Sequence, residues 1–412
     1  LCLTAVTTCN NMSSYRDDLP PVPAAYNWEA MRAEGHKVVD FIFDYQKQLC
    51  DMAIPCQSEV QPNYLRERIP SVDPPSLPGS FSDVLGDVKE HIVPGMTHWQ
   101  HPNFFAFFPA MLSPPALLGD TLANAFNQPG FNWVASPAAT ELEVIVTNWL
   151  TSAFGLPKEF NWDGSGGCVL QPSATESAIV LMLAAKNRAL SSFETVEEKE
   201  AVVGKLVAYV TDQSHFCIEK AAKVLSIFHF RKLATKQCSQ TGNAALQPEV
   251  LIQAVEEDTA AGRIPFFVSC NFGATGICAV DPIAELGAVC AARGIWFNVD
   301  AAYAGVTAVC PEYRDAFSQP VGTYADSFLI NGSKWFSMMF NSSFMFFRDK
   351  KHIVSSLNAT GVYLSNAHTE NNLVVDFKDY HLGLGRPFRA LKVYATLKTF
   401  GTEGLQSTIR RH

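Results

Sequence analysis

From residue 165 onward, short apolar runs alternate with stretches of helical pattern, and this alternation constrains the fold more than any other feature of the chain. The spacing predicts strands at Cys168–Gln171, Leu206–Thr211, Pro265–Cys270, Ile295–Val299, Ser327–Ile330 and Phe344–Phe347. Helices are predicted between several of them, over 174–190, 216–224 and 282–293. Strand and helix in turn argue for an α/β domain with a large, mostly parallel sheet flanked by helices. Ligands of such sheets bind outside the carboxyl ends of the strands, so chemistry is sought in the residues just after each run.

The chain before residue 165 reads differently. After Pro20, Pro21 and Pro23, the residues Trp28, Met31, Gly35, Val38, Ile42, Tyr45 and Leu49 recur at spacings of three and four, one stripe of a helix. Val39, Phe41 and Phe43 widen that stripe, so the helix packs against something large, either core or a partner subunit. A Pro-rich stretch over 71–80 closes this opening section. Ser136 as N-cap and Pro137 at the first helical position announce a second helix. It runs through Leu142, Ile145 and Trp149 and stops at Gly155, before Pro157. Residues 1–11 lack the basic flank and long apolar run of a secretory signal, and Met12 opens an ordinary start. They are read as lying outside the folded unit.

Composition removes whole classes of function. The 412 residues, 48% of them hydrophobic and 17% charged, suffice for two or three domains and a large core. The formal net charge is -9 with no block of Lys and Arg, so the footprint of a nucleic-acid binder is missing. No apolar run approaches the roughly 18 residues of a membrane span; Phe104–Phe108 is bounded by Pro102 and Pro109. The 11 cysteines include no CxxC pair and are read as free thiols in a reducing compartment, with the cytoplasm as the default location. His98 and His101 lie beside Trp99 and a run of Phe without a carboxylate or thiolate, so packing is assigned to them and no metal is expected.

Four predicted strand ends carry suggestive groups. After Cys168–Gln171, a helix opens near Ser173, where amide N–H groups and the Ser173 and Thr175 hydroxyls make an anion site suited to phosphate. Asp212-Gln213-Ser214-His215 puts an imidazole at the same edge. Asp300 ends an apolar strand, where a carboxylate is costly to bury without a cation, and the small Ala301, Ala302 and Ala304 leave room for a flat ring. Lys334, in Asn331-Gly332-Ser333-Lys334, sits in the apolar setting that suits a Schiff-base amine; a plain salt bridge with Asp300 is the alternative. Together the pieces fit pyridoxal 5′-phosphate: phosphate at Ser173–Thr175, a cationic ring nitrogen at Asp300, the ring on His215 and the aldehyde carbon at Lys334.

The chain resembles the aromatic L-amino-acid decarboxylases, the pyridoxal-phosphate group that includes dopa, tyrosine, tryptophan and histidine decarboxylases. The resemblance runs from about Pro20 to His412 and rests on PGMTHWQHPNFFAFFP (94–109), GFNWVASPAATELE (130–143), QPSATES (171–177), DQSHFCIEKA (212–221), NVDAAYAG (298–305), NGSKW (331–335) and GRPFRALK (385–392). It implies the fold type I architecture of pyridoxal-phosphate enzymes and an obligate homodimer with shared active sites. Lys334 falls on the cofactor-anchoring lysine, Asp300 on the pyridinium partner and His215 on the stacking histidine. Ala174, Thr175, Asn271, Ala302 and Asn331 fall on cofactor contacts. Trp99, Phe107, Phe108, Phe131 and Phe340 match the apolar substrate pocket, and Ala110 stands where a hydroxyl residue often touches substrate.

In that family a tyrosine on a mobile loop returns the proton to Cα, and Tyr363, in a polar loop from about Leu357 to Asn372 that contains Gly361, matches it. Related aldehyde synthases commonly carry Phe there and oxidise where the decarboxylases protonate, so Tyr363 favours simple decarboxylation to the amine. In that family a Gly at the position of Gly385 accompanies bulky indole or catechol rings, whereas Ser is more usual with histidine or simple phenols, which favours tryptophan or a dopa-like substrate over histidine. Three residues depart from the pattern: Ser333 replaces a usual His, Asn271 a usual Thr and Ala110 a hydroxyl. These departures, with the short carboxyl end, motivate a third reading, a homologue that binds cofactor without turnover. The domains expected are an N-terminal helical and dimerisation segment (1–112), a cofactor domain (113–388) and the beginning of a small C-terminal domain (389–412). The rest of that domain is expected to be missing, as in a truncated chain.

Overall fold

The computed structural model describes residues 27–69, 74–75, 77–238, 242–358 and 374–412. Tyr363 and Gly361 lie outside the described residues. The chain divides into two compact units, Leu1–Phe107 and Phe108–His412.

In the first unit the predicted stripe forms α1 (Trp28–Cys50), whose N-cap Asn27 accepts from the amides of Glu29 and Ala30. Of the stripe, Leu49 is buried, Met31, Val38, Ile42 and Tyr45 are half-buried, and Trp28, Val39 and Phe43 stay exposed. His98 is buried with Nδ1 2.7 Å from the Tyr45 hydroxyl, and His101 Nδ1 accepts from the Asn103 amide at 3.0 Å. Both histidines thus serve local packing.

The second unit opens with α2 (Pro114–Phe126) and α3 (Pro137–Ala153). Ser136 stands at the N-cap and Pro137 at the first helical position as predicted, but the Ser136 side chain makes no capping bond. Its hydroxyl donates to Gln128 Oε1 at 3.1 Å and leaves the helix amides alone. Then come β1 (Gly167–Gln171), α4 (Ala174–Leu190), β2 (Leu206–Thr211), α5 (Phe216–Val224), β3 (His229–Leu233), α6 (Pro248–Ala260), β4 (Ile264–Asn271), α7 (Ile283–Arg293), β5 (Trp296–Asp300), β6 (Ser327–Asn331), β7 (Ser343–Phe347) and α8 (Ala390–Arg411). All six predicted strands are present within one residue at either end; β3 was not predicted.

The sheet order is β1-β7-β6-β5-β4-β2-β3. Every pairing is parallel except the two made by β7, which runs against β1 and β6. The carboxyl ends of the other six strands therefore share one edge. The strands β1, β2, β5 and β7 are buried at every residue, as expected for a sheet covered on both faces. Phe328 stacks on Phe346 at 4.4 Å and meets Phe160 and Phe317 edge-on, a core cluster in which each buried ring contributes roughly 1.5–3 kcal/mol.

The outer edge of β1 is closed by side chains: Leu170 N–H donates to Glu143 Oε1 at 2.9 Å, and Leu170 C=O accepts from Arg386 Nη2 at 3.1 Å. Glu143 and Arg386 pair with each other at 2.6 Å while buried, so the ion pair satisfies an edge that would otherwise be open. Behind it α8 packs on α2 and α3. A Cβ on Gly119 of α2 would sit 2.7 Å from Lys392 Cα, so only glycine allows that approach.

His381 lies in the segment that leads to α8 and is buried, with Nδ1 2.9 Å from the Gly383 carbonyl and 3.0 Å from the Gly383 amide. Burial pushes its pKa down to about 4; Gly383 opposes the shift, and Arg386 and Arg389 add to it. The folded state therefore keeps this ring neutral while the unfolded chain protonates it near its ordinary value of about 6.5. The stabilisation is complete above that value and is lost as pH falls from about 6.5 to 4, an effect of about 3 kcal/mol. We expect His381→Asn to flatten the fall in unfolding midpoint across that window. An unchanged slope between pH 6.5 and 4 would refute the assignment. Among the described residues, no helix is long and apolar enough to cross a membrane.

Candidate active site

The parallel edge gathers residues that are far apart in sequence into a cavity of about 170 Å³. It is lined by Ser173, Ala174 and Thr175 after β1, and by His215 and Cys217 after β2. Asn271, Gly273, Ala274 and Thr275 follow from β4, Asp300 and Ala302 from β5, and Asn331 and Lys334 from β6. A larger cavity, about 970 Å³, lies in the first unit beside Phe41, Tyr45 and Lys89 and holds none of these groups. Chemistry belongs to the smaller one, where a lysine, a carboxylate and an imidazole converge.

Ser173 is the N-cap of α4. Its hydroxyl accepts from the Glu176 amide at 3.2 Å and donates to Glu176 Oε2 at 2.7 Å, so it is committed to the cap. What the helix start offers an anion is its first-turn amides, which have no intrahelical acceptor, together with Thr175. His215 caps α5 through Nδ1, which accepts from the Cys217 amide at 3.2 Å. An accepting Nδ1 puts the ring proton on Nε2. Burial lowers the pKa of this ring and Lys334 adds to the shift, while Asp300 opposes it, so the neutral form is favoured.

Asn271 donates through its amide N–H to Asp281 Oδ2 at 2.7 Å, and through Nδ2 to Asp281 Oδ2 at 3.0 Å and Thr211 Oγ1 at 2.8 Å. Both side-chain hydrogens are thereby committed. Burial raises the pKa of Asp281, opposed by its bonds from Leu246 and Asn271. Gly273 has φ +89°, and a Cβ there would meet that of Ala304 at 2.6 Å; this turn carries Ala274 and Thr275 to the cavity. In the sheet Asn271 stands opposite Asp300.

Asp300 is buried, with Oδ1 accepting from the Ala302 amide at 3.1 Å and Oδ2 from the Cys217 thiol at 3.7 Å. Lys334 does not take the salt-bridge alternative. Its Nζ lies 5.1 Å from the centre of the Phe108 ring. It stands on a short helix, Gly332–Trp335, whose N-cap Asn331 accepts from the Ser333 amide at 3.1 Å and hydroxyl at 2.7 Å. Phe108, Tyr303 and Trp335 stack beside it, at 4.0 Å and 5.1 Å between successive rings. Beyond it Ser337, Met339 and Asn341 all have positive φ, strain concentrated in the loop next to the lysine.

The residue set fits a phosphorylated pyridine aldehyde. There are helix-start amides for an anion, a buried carboxylate without a cationic partner for a protonated ring nitrogen, a flat neutral imidazole, and one lysine. Of the residues matched to the substrate pocket, Trp99 and Phe107 lie in the first unit, stacked on each other at 5.4 Å. Ala110, Phe131, Phe340 and Gly385 lie in the second unit and are not among the cavity's lining residues. Sequence reasoning missed Cys217, Gly273, Ala274 and Thr275. Cys217 stands two residues into a helix start, the logic that selected Thr175, and the Gly273–Gly276 turn signal marked the others.

The family described as "Pyridoxal-dependent decarboxylase conserved domain" matches residues 62–412. The curated relative "Tyrosine decarboxylase 2" of Narcissus pseudonarcissus is 43% identical over 401 residues, covering 96% of this chain and 76% of its own. "Phenylacetaldehyde synthase" of Arabidopsis thaliana is 42% identical over 384 residues, covering 93% and 76%. The solved structure "Crystal structure of Oryza sativa TDC with PLP and tryptamine" superposes with a TM-score of 0.88 at 35% identity, covering 95% of this chain and 78% of that one.

Proposed function

This chain belongs to the pyridoxal-dependent decarboxylase family, and on that premise we propose that it converts an aromatic L-amino acid, tryptophan or a dopa- or tyrosine-like one, to the corresponding amine and CO2. Its cofactor is pyridoxal 5′-phosphate, and its relatives divide between decarboxylases and an aldehyde synthase. The observation that carries the reading is the convergence of five strand ends on one cavity holding Lys334, Asp300 and His215.

When bound, the cofactor supplies an aldehyde that joins an amine and a cationic ring that takes up the electron pair left by CO2. Lys334 would hold the cofactor through its amine. Asp300 keeps a proton on the ring nitrogen by offering that cation a buried counter-charge. His215, neutral and fixed through Nδ1, provides a flat face. The amides at Ala174 and Thr175 bind the phosphate, Asn271 and Asn331 frame the ring, and Ala302 leaves it room. Phe108, which lies against Lys334, would meet the aromatic side chain, and Gly385 would give space for a large ring. Tyr363 returns a proton to Cα.

The same reading includes a homodimer, which the exposed Trp28, Val39 and Phe43 on α1 support. It also includes a cytoplasmic location, which the free thiols at all nine described cysteines support. The relative named as a phenylacetaldehyde synthase favours a second reading, oxidative deamination to an aldehyde.

One assay decides between them. Holoenzyme is incubated with Trp, Tyr, dopa, Phe and His, and amine and aldehyde are measured separately. Amine without peroxide supports decarboxylation; aldehyde with ammonia and peroxide supports the alternative. Tyr363→Phe should cut amine formation on the order of 10²-fold and divert product to aldehyde. Unchanged amine output from that variant would remove Tyr363 from the proposal.

A further inference from the structure

Cys217 is the one cavity-lining residue that touches both groups set against the cofactor ring. Its thiol donates to Asp300 Oδ2 at 3.7 Å and its amide donates to His215 Nδ1 at 3.2 Å. The side chain is 1% exposed and lies in the wall of the 170 Å³ cavity. We propose that Cys217 is a positioning residue for the decarboxylation, its thiol orienting the Asp300 carboxylate while its amide fixes the His215 ring, an inference that rests on the function proposed above.

Three features support it. The other oxygen of Asp300 is held by the Ala302 amide at 3.1 Å, so the thiol completes a two-point hold on a carboxylate that has no ion-pair partner. A thiol is a weak donor, so it orients the carboxylate without competing strongly for the oxygen that a ring N–H must reach. Burial pushes the Cys217 thiol well above its ordinary range, with Asp300 adding to the push and Lys334 opposing it, so the donor hydrogen stays in place. The position also rewards a small residue, since it shares the cavity wall with Lys334.

Three substitutions separate positioning from packing. Cys217→Ala removes the donor, Cys217→Val fills the space without one, and Cys217→Ser keeps a donor of similar size. Apoprotein is titrated with pyridoxal 5′-phosphate while tryptophan fluorescence is followed, and kcat and KM are measured on the reconstituted holoenzyme. The Ala and Val variants should bind the cofactor about five- to tenfold more weakly and lose kcat by a similar factor, with KM for the amino acid nearly unchanged. The Ser variant should rescue both losses. Recovery with Val but not with Ser would show packing alone and overturn the proposal, as would equal behaviour of all three and the parent. Failure of the parent chain itself to bind the cofactor would overturn the proposed function first, and this inference with it.

Discussion

Replacing Lys334 with Ala should lower the rate of CO2 release by at least about 10³-fold and abolish the visible absorbance that cofactor acquires when joined to an amine. Lys334 is the only lysine among the residues lining the cavity, and it is delivered there by a four-residue helix whose N-cap, Asn331, is itself part of the cavity wall. Among the residues lining the cavity no other amine can stand in. Lys392 is buried but is held by Asp120 at 2.9 Å and by the Phe340 carbonyl at 2.6 Å. Arginine at 334 should fail equally, because a guanidinium stays protonated and cannot exchange with an amine. Borohydride reduction of the parent holoenzyme followed by peptide mapping should place the label on Lys334 and on no other lysine. A label on a different lysine, or activity retained in the Ala variant, would dismantle the site as built here.

Much of this placement was legible before any coordinates, for a physical reason. Strands buried on both faces read as apolar runs, so six of them could be bounded to within a residue, and the residues after them were the natural suspects. The edge strand β3 escaped because His229-Phe230-Arg231-Lys232-Leu233 is only partly buried and sets two charged residues inside the run. The position of Ser136 at the N-cap is legible, but its hydroxyl bond to Gln128 in place of a helix amide is not. Long-range pairs were out of reach altogether. Nothing in the sequence joins Glu143 to Arg386, 243 residues apart, yet together they close the edge of β1. The tie between Asn271 and Asp281 depends on a turn at Gly273 whose conformation no periodicity reports.

Asp300→Asn should change function and stability in opposite directions. The carboxylate is buried, and its two oxygens meet only an amide and a thiol, neither of which carries a charge. Burying a charge without a counter-ion is unfavourable, and on the proposed function the cation that offsets this cost is the cofactor's ring nitrogen. Asn has the same shape and can still accept from the Ala302 amide through its oxygen, but it presents an N–H where the second oxygen stood and carries no charge. Apoprotein with this substitution should therefore melt no lower than the parent, and higher if the burial cost is released. The holoenzyme should lose the means of keeping its ring nitrogen protonated, binding cofactor about tenfold more weakly and turning over on the order of 10²- to 10⁴-fold more slowly. Asp300→Ala removes the shape as well and should lose both activity and stability. Thermal melts of the two apoproteins beside cofactor titrations and rates of the two holoenzymes test the pair of signs together. Turnover within tenfold of the parent in the Asn variant would show that the charge at 300 is not what the chemistry uses, and a clear drop in apoprotein melting would show that the carboxylate is stabilised by the fold itself.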